Sequence, residues 1–190
     1  MDKIDGKILL KIARGAIGQS LGLATLPHYG ESWLSEPAAT FVTLTRNGEL
    51  RGCIGSIEAH RSLKEDVREN AVAAAFRDPR FPAVTAGEYW KICIEVSLLS
   101  ALESMEFRDE KDALAQLRPG VDGLVFQCGF RRSTFLPQVW EKLPDPREFL
   151  EHLKQKAGFP REFWAPDVRL SRYTHQEWRE EEIVKEGCFQ

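Results

Sequence analysis

Arg51, Cys53 and Gly55 stand two residues apart in the run Leu50-Arg51-Gly52-Cys53-Ile54-Gly55. In an extended strand alternate side chains share one side, so the three project together. A guanidinium two residues from a thiol can lie over it and favour the thiolate, the nucleophilic form. Gly52 and Gly55 flank the cysteine and leave room for a ligand or for a close backbone. His60 falls just past the strand end, in reach as a proton acceptor. This is one reading: a nucleophilic or redox-sensitive Cys53 in a glycine-lined cleft. The other is a buried cysteine acting as a small apolar residue, with glycines that serve a bulge or helix packing.

Glu95 interrupts an apolar strand. Buried, it needs a raised pKa or an arginine partner, with Arg51, Arg80 and Arg131 or Arg132 as choices; on an edge strand it faces water. Arg80-Phe81 is either a recognition surface or a rigid loop whose Phe81 plugs the core. In the segment from Thr134 to Trp140, Thr134 and Gln138 are candidate binding residues, while Phe135, Leu136 and Trp140 read as core or interface. Arg131, Arg132, Arg169 and Arg172 read as scattered solvated charges, because Arg169 and Arg172 take opposite faces of their strand.

The elements that hold these residues are legible from pattern. Ile4, Ile8, Ile12, Ala16 and Ile17 set a helical stripe from about Asp5 to Ser20, with Gly15, Gly18 and Gly22 weakening its far end. Residues 28–37 read as loop. Thr40 to Thr45 is a β-rich run, Asn47-Gly48 supplies a tight turn, and Glu49 to Ile57 returns. Ser62-Leu63-Lys64-Glu65 is a capping box that opens a helix stopped by Pro79. Thr85 to Glu88 is a second box, opening a short helical turn. Lys91 to Leu99 alternates strictly. The order then recurs: a helix over 109–117, strands over 123–127 and 132–136 around Gly129, a helix from Asp145-Pro146 to Gly158, and a strand from Asp167 to Tyr173. Hairpin, helix and strand thus occur twice. The expected fold class is α+β: a mostly antiparallel sheet with flanking helices, built from two strand-strand-helix-strand units.

The chain has 190 residues, enough for one domain over 1–190 or for a larger and a smaller lobe. No apolar run approaches a membrane span or a signal peptide, which predicts a cytoplasmic, membrane-free protein. Cys53, Cys93, Cys128 and Cys188 lie far apart, so neither a zinc site nor a disulfide framework is expected. A net charge of −3 and the acidic run Glu180-Glu181-Glu182 disfavour nucleic acid as a partner.

Five blocks in order carry a family resemblance: the hexapeptide from Leu50 to Gly55, Asp78-Pro79-Arg80-Phe81-Pro82, Glu95-Val96-Ser97-Leu98-Leu99, the segment Thr134 to Trp140, and Leu150 to Gly158. Together they cover nearly the whole chain, which resembles the AMMECR family (AmmeMemoRadiSam system protein A). The resemblance implies a duplicated fold with swapped strands. It also implies a role as one component of a three-part modification system, beside a Memo-like protein and a radical S-adenosylmethionine enzyme. The chain lacks the C-x-x-x-C-x-x-C pattern of the radical enzyme and a cluster of histidine ligands, so no metal and no cofactor are expected of it. Three functions follow as expectations: a catalytic component using Cys53, Arg51, His60 and Glu95; a non-catalytic protein-binding adaptor using Arg80-Phe81 and residues 134–140; and, least favoured, a nucleic-acid-associated factor.

Overall fold

The computed structural model describes residues 4–26 and 28–180; Cys188, Glu181 and Glu182 lie outside them. Four helices and ten strands run in the order α1 (Gly6–Ser20), β1 (Pro37–Ala38), β2 (Thr40–Arg46), β3 (Glu49–Gly55), β4 (Arg61–Ser62), α2 (Leu63–Phe76), β5 (Cys93–Leu99), β6 (Glu103–Ser104), α3 (Glu110–Gln116), β7 (Gly123–Cys128), β8 (Arg131–Phe135), α4 (Pro146–Lys156), β9 (Arg169–Tyr173) and β10 (His175–Arg179). Short 3-10 turns occupy Ser32–Ser35 and Pro137–Glu141. No helix among the described residues is long and apolar enough to cross a membrane. The chain divides into two compact units, one running to Leu99 and resuming at Gln176, the other Ser100–His175.

In the first unit the sheet order is β10-β5-β2-β3. Asn47 and Gly48 both take positive φ (53° and 80°), the geometry of the tight hairpin turn between β2 and β3. Asp5 caps α1 by accepting from Lys7 N at 2.9 Å, and Leu9, Leu10, Ile12, Ala13 and Ile17 are sealed against the sheet. Gly18 does not weaken α1 to the point of ending it. Tyr89 Oη and the Ala24 side chain occupy the space a β-carbon would need, at 2.7 and 2.8 Å. Ser62 caps α2, and the helix ends at Phe76 with Arg77 as its cap, three residues ahead of Pro79. Its small inner face (Val67, Ala71, Ala74, Ala75) lets it sit close on Val42, Leu44, Ile94 and Val96.

In the second unit the order is β6-β9-β7-β8. Asp145 caps α4 with Pro146 at its first position, and Gly158, at φ 82°, follows its end. Leu124, Phe126, Leu170, Phe149, Leu150 and Leu153 form this core. Trp140 stacks on Phe149 with ring centres 3.7 Å apart. Lys154 is buried within it, neutralised by Glu110 at 2.8 Å.

The repeat read from sequence order is real. Each unit contains a hairpin whose first strand also pairs with the strand that follows the intervening helix: β5-β2-β3 and β9-β7-β8. The fourth strands are exchanged. β6 follows β5 along the chain but pairs with β9, and β10 follows β9 but pairs with β5. The exchange makes β5 an interior strand, which removes the edge-strand reading of Glu95.

Candidate functional site

The hexapeptide lies on β3, an edge strand whose inner neighbour is β2. Ser56 N donates to Thr40 O at 2.9 Å, marking a hydrogen-bonded pair. Counting along the register, Cys53 opposite Thr43 is a non-hydrogen-bonded pair, so its own N–H and C=O point outward from the sheet. Asp78 and Arg80 meet them there. Asp78 Oδ2 accepts from Cys53 N at 2.9 Å, and Arg80 Nη2 donates to Cys53 O at 3.2 Å. Arg80 also donates to Asp78 from Nε at 2.9 Å and from Nη2 at 2.7 Å. The two side chains stand in for one residue of a missing neighbouring strand and cover the edge that would otherwise template pairing. The Arg80 guanidinium and the backbone donors hold the buried Asp78 carboxyl well below the usual carboxylate range.

The Cys53 side chain is half-buried on the face shared with Thr43 and Glu95, which lie opposite one another across β3, β2 and β5. Thr43 Oγ1 donates to Sγ at 3.4 Å. Burial pushes the thiol pKa up; the Thr43 hydroxyl and Arg80 pull it down, but Asp78 and Glu95 add to the rise. The shift runs against the thiolate that the nucleophile reading needs and favours the alternative of a part-buried neutral thiol.

Arg51 is elsewhere. It sits at a register shift opposite Leu44 and Thr45, and its fork engages Glu88, Nε to Oε1 at 3.1 Å and Nη2 to Oε2 at 3.2 Å. Arg46 Nη1 reaches the same Oε1 at 3.1 Å. Glu88 also accepts from Thr85 N, as its capping-box position predicts. These contacts, Arg51 first, lower the Glu88 pKa to about 2. The half-buried Phe81 ring lies within cation–π range of both arginines, 5.5 Å from Arg80 Cζ and 6.0 Å from Arg51 Cζ. It joins neither hydrophobic cluster, so it does not plug the core.

The remaining candidates disperse. The His60 side chain is 70% exposed, with Nε2 3.7 Å from Glu58 Oε2, and makes no contact with the thiol. Glu95 forms an ion pair with Arg179 of β10 at 2.6 Å, a partner absent from the sequence-based choices. The glycines leave no ligand space: a β-carbon on Gly52 would lie 2.2 Å from Ala74 O, and one on Gly55 2.2 Å from the Phe41 ring. Thr134 is buried and spends its hydroxyl on Leu124 O at 3.0 Å and on Tyr173 Oη at 2.8 Å. Tyr173 is in turn pushed up to about 12 by burial. Gln138 is half-buried in the 3-10 turn.

Sequence reasoning passed over three carboxylates. Asp78 and Glu88 lay inside recognised motifs but were read for other residues or for capping alone. Asp66 had no signal beyond being an acid on a helix. It is fully buried and accepts from Thr40 N (2.8 Å), Thr40 Oγ1 (2.7 Å), Ser56 Oγ (2.8 Å), Arg61 Nη2 (2.8 Å) and Asn70 Nδ2 (2.9 Å). This network fixes the junction where β3 ends and α2 begins. Chemically, the β3 region offers a neutral thiol, oriented donors and committed ion pairs.

The comparisons agree with this architecture. The AMMECR1 family model matches residues 10–178. A protein of Methanothermobacter thermautotrophicus is 37% identical over 186 residues, covering 95% of this chain and 97% of its own length. Protein MJ0810 of Methanocaldococcus jannaschii is 36% identical, covering 94% of this chain and 91% of its own. The crystal structure of an uncharacterized protein, PH0010 from Pyrococcus horikoshii, is similar with a TM-score of 0.85 at 32% identity, over 93% of this chain and 91% of that one. With a family match across most of its length and a shared fold, the chain belongs to the AMMECR1 family.

Proposed function

We propose that this protein is a binding component: part A of an AmmeMemoRadiSam-type modification system, acting in the cytoplasm beside a Memo-like protein and a radical S-adenosylmethionine enzyme. In this reading the β3 edge and the segment pinned on it recognise a partner or ligand, and Cys53 contributes a neutral thiol. The observation that carries it is the state of Cys53: burial raises the thiol, and the nearest cation, Arg80, is committed to Asp78. Two surface features support a partner. Trp90 is 77% exposed and Phe130 fully so, and large aromatics are the side chains from which interface hot spots are built. Among the described residues, Cys53 and Cys128 are unbridged thiols, which fits a reducing compartment.

The test is site-resolved alkylation of the full chain by iodoacetamide, read by peptide mass spectrometry from pH 6 to 10, with Cys53→Ser tested for retrieval of the two partner classes. The expected result is slow labelling of Cys53 at neutral pH that rises only above the ordinary thiol range, and retained partner retrieval by Cys53→Ser. Rapid labelling near pH 7 with loss of system activity in Cys53→Ser overturns the binding reading in favour of a nucleophile.

A further inference from the structure

Arg51 is nine-tenths buried, yet only two of its three nitrogens are accounted for. Nη1 is shut off from solvent and meets no acceptor among the described residues. A buried charged donor left without a hydrogen bond is costly, and such groups are rare unless a ligand completes them. Arg51 also lines an open depression of about 250 Å³, together with Arg46, Asn47, Glu49 and Leu50 at the turn end of the β2–β3 hairpin.

The charges around the depression do not cancel on the Arg51 side. Arg46 and Arg51 share the single carboxylate of Glu88, which stays ionised because its pKa is lowered to about 2. Counted without the rim residue Glu49, one positive charge is left over. Glu49 stands exposed on the rim, where water screens it. Planar guanidiniums in pairs are matched to oxyanions, which accept two parallel N–H donors. The wall is movable: Arg46 is 42% exposed in its side chain and Leu50 43% exposed overall, so an entering oxygen displaces flexible groups to reach Nη1.

We infer that the Arg46–Arg51 depression is an oxyanion-binding site, taking a carboxylate or phosphoryl group of a ligand, with Glu88 as the internal anion that positions both guanidiniums. The site shares β3 with the recognition surface proposed above but is read with small anions and needs neither Cys53 nor a partner, so either reading can fail alone.

The probes are inorganic phosphate and acetate, titrated separately at constant ionic strength into the isotope-labelled full chain, with amide shifts followed at residues 46–51 and 85–88. Saturable shifts confined to those residues are expected with at least one probe. Acetate alone marks a carboxylate site, phosphate alone a phosphoryl site. Arg46→Gln, at an exposed position that leaves the fold intact, weakens binding at least about tenfold, the loss of one charge-assisted contact. Arg108→Gln, at a guanidinium in the other unit, leaves it unchanged. Non-saturating shifts with both probes, or equal weakening in the two variants, overturn the site.

Discussion

Gly52→Ala adds one methyl group to the hexapeptide and separates a structural glycine from a ligand-clearing one. Its β-carbon would lie 2.2 Å from the Ala74 carbonyl oxygen and 3.1 Å from the carbonyl carbon. Both are backbone atoms of α2, so no side-chain rotation relieves the contact; the helix must retreat from β3 by about 1 Å to restore normal separation. Overpacking of this kind costs about 1–3 kcal/mol. The retreat also loosens Val67, Ala71 and Ala74 from Val42 and Leu44, all now within 1% of complete burial, where even a gap of about 0.5–1 Å forfeits a quarter to a half of each dispersion contact. The lower chain entropy of alanine returns about 0.5–1 kcal/mol. The loosened contacts and the entropy gain roughly offset, so the net expectation remains a loss of about 1–3 kcal/mol. Gly55→Ala meets a half-buried Phe41 ring that can swing aside, so about 1–2 kcal/mol is expected. Gly48→Ala meets nothing within 4 Å but holds φ at 80°, a left-handed strain of about 1–2 kcal/mol. Native-state hydrogen exchange of the β2 amides in urea reads the first unit without assuming that both units unfold together. A Gly52→Ala protein within about 0.5 kcal/mol of wild type, or one less damaged than Gly55→Ala, refutes the packing argument and returns Gly52 to the ligand-clearing reading.

Two further outcomes test the carboxylates. Asp66→Asn replaces an acceptor with a group that presents N–H to donors already converging on it and leaves the buried Thr40 and Asn70 donors short of an acceptor; a loss of about 1–3 kcal/mol by denaturant unfolding is expected, and a loss below about 0.5 kcal/mol contradicts the network. Glu88 has a folded pKa near 2 against an ordinary 4.5. Its contribution is therefore complete above about pH 4.5 and disappears as pH falls toward 2. Glu88→Gln should be less stable than wild type at neutral pH and converge with it across that window, whereas parallel stability–pH curves would exclude the ion-pair role.

What the sequence made legible was what short-range chemistry decides. The Asn47-Gly48 turn and the Ser62 and Asp145 caps each depend on residues within a few positions and appear where expected; the alternation read over Lys91 to Leu99 holds from Cys93 to Val96 and then breaks, with Ser97 buried and Leu98 half-buried. The doubled order was legible for the same reason, since each unit repeats a local grammar. The exchange of β6 and β10 was suggested by resemblance alone, because strand pairing across some 70 residues leaves no periodic trace. The site failed at its partners for a related reason. Spacing places Arg51 and Cys53 on one strand but is blind to acids arriving from another segment, and a bidentate carboxylate outcompetes a neutral thiol for a guanidinium. Glu88 claims Arg51, Asp78 claims Arg80, and Arg179 of the exchanged strand claims Glu95. Two of the three, at Arg51 and Glu95, are ion pairs closed by an element that only folding brings near, while Asp78 and Arg80 pair within one loop. The hexapeptide and the Asp78–Pro82 block therefore describe one structure. The carboxylates of residues 78 and 88 fasten the post-α2 segment to the edge of β3, and a change in either block is felt by the other through those bonds.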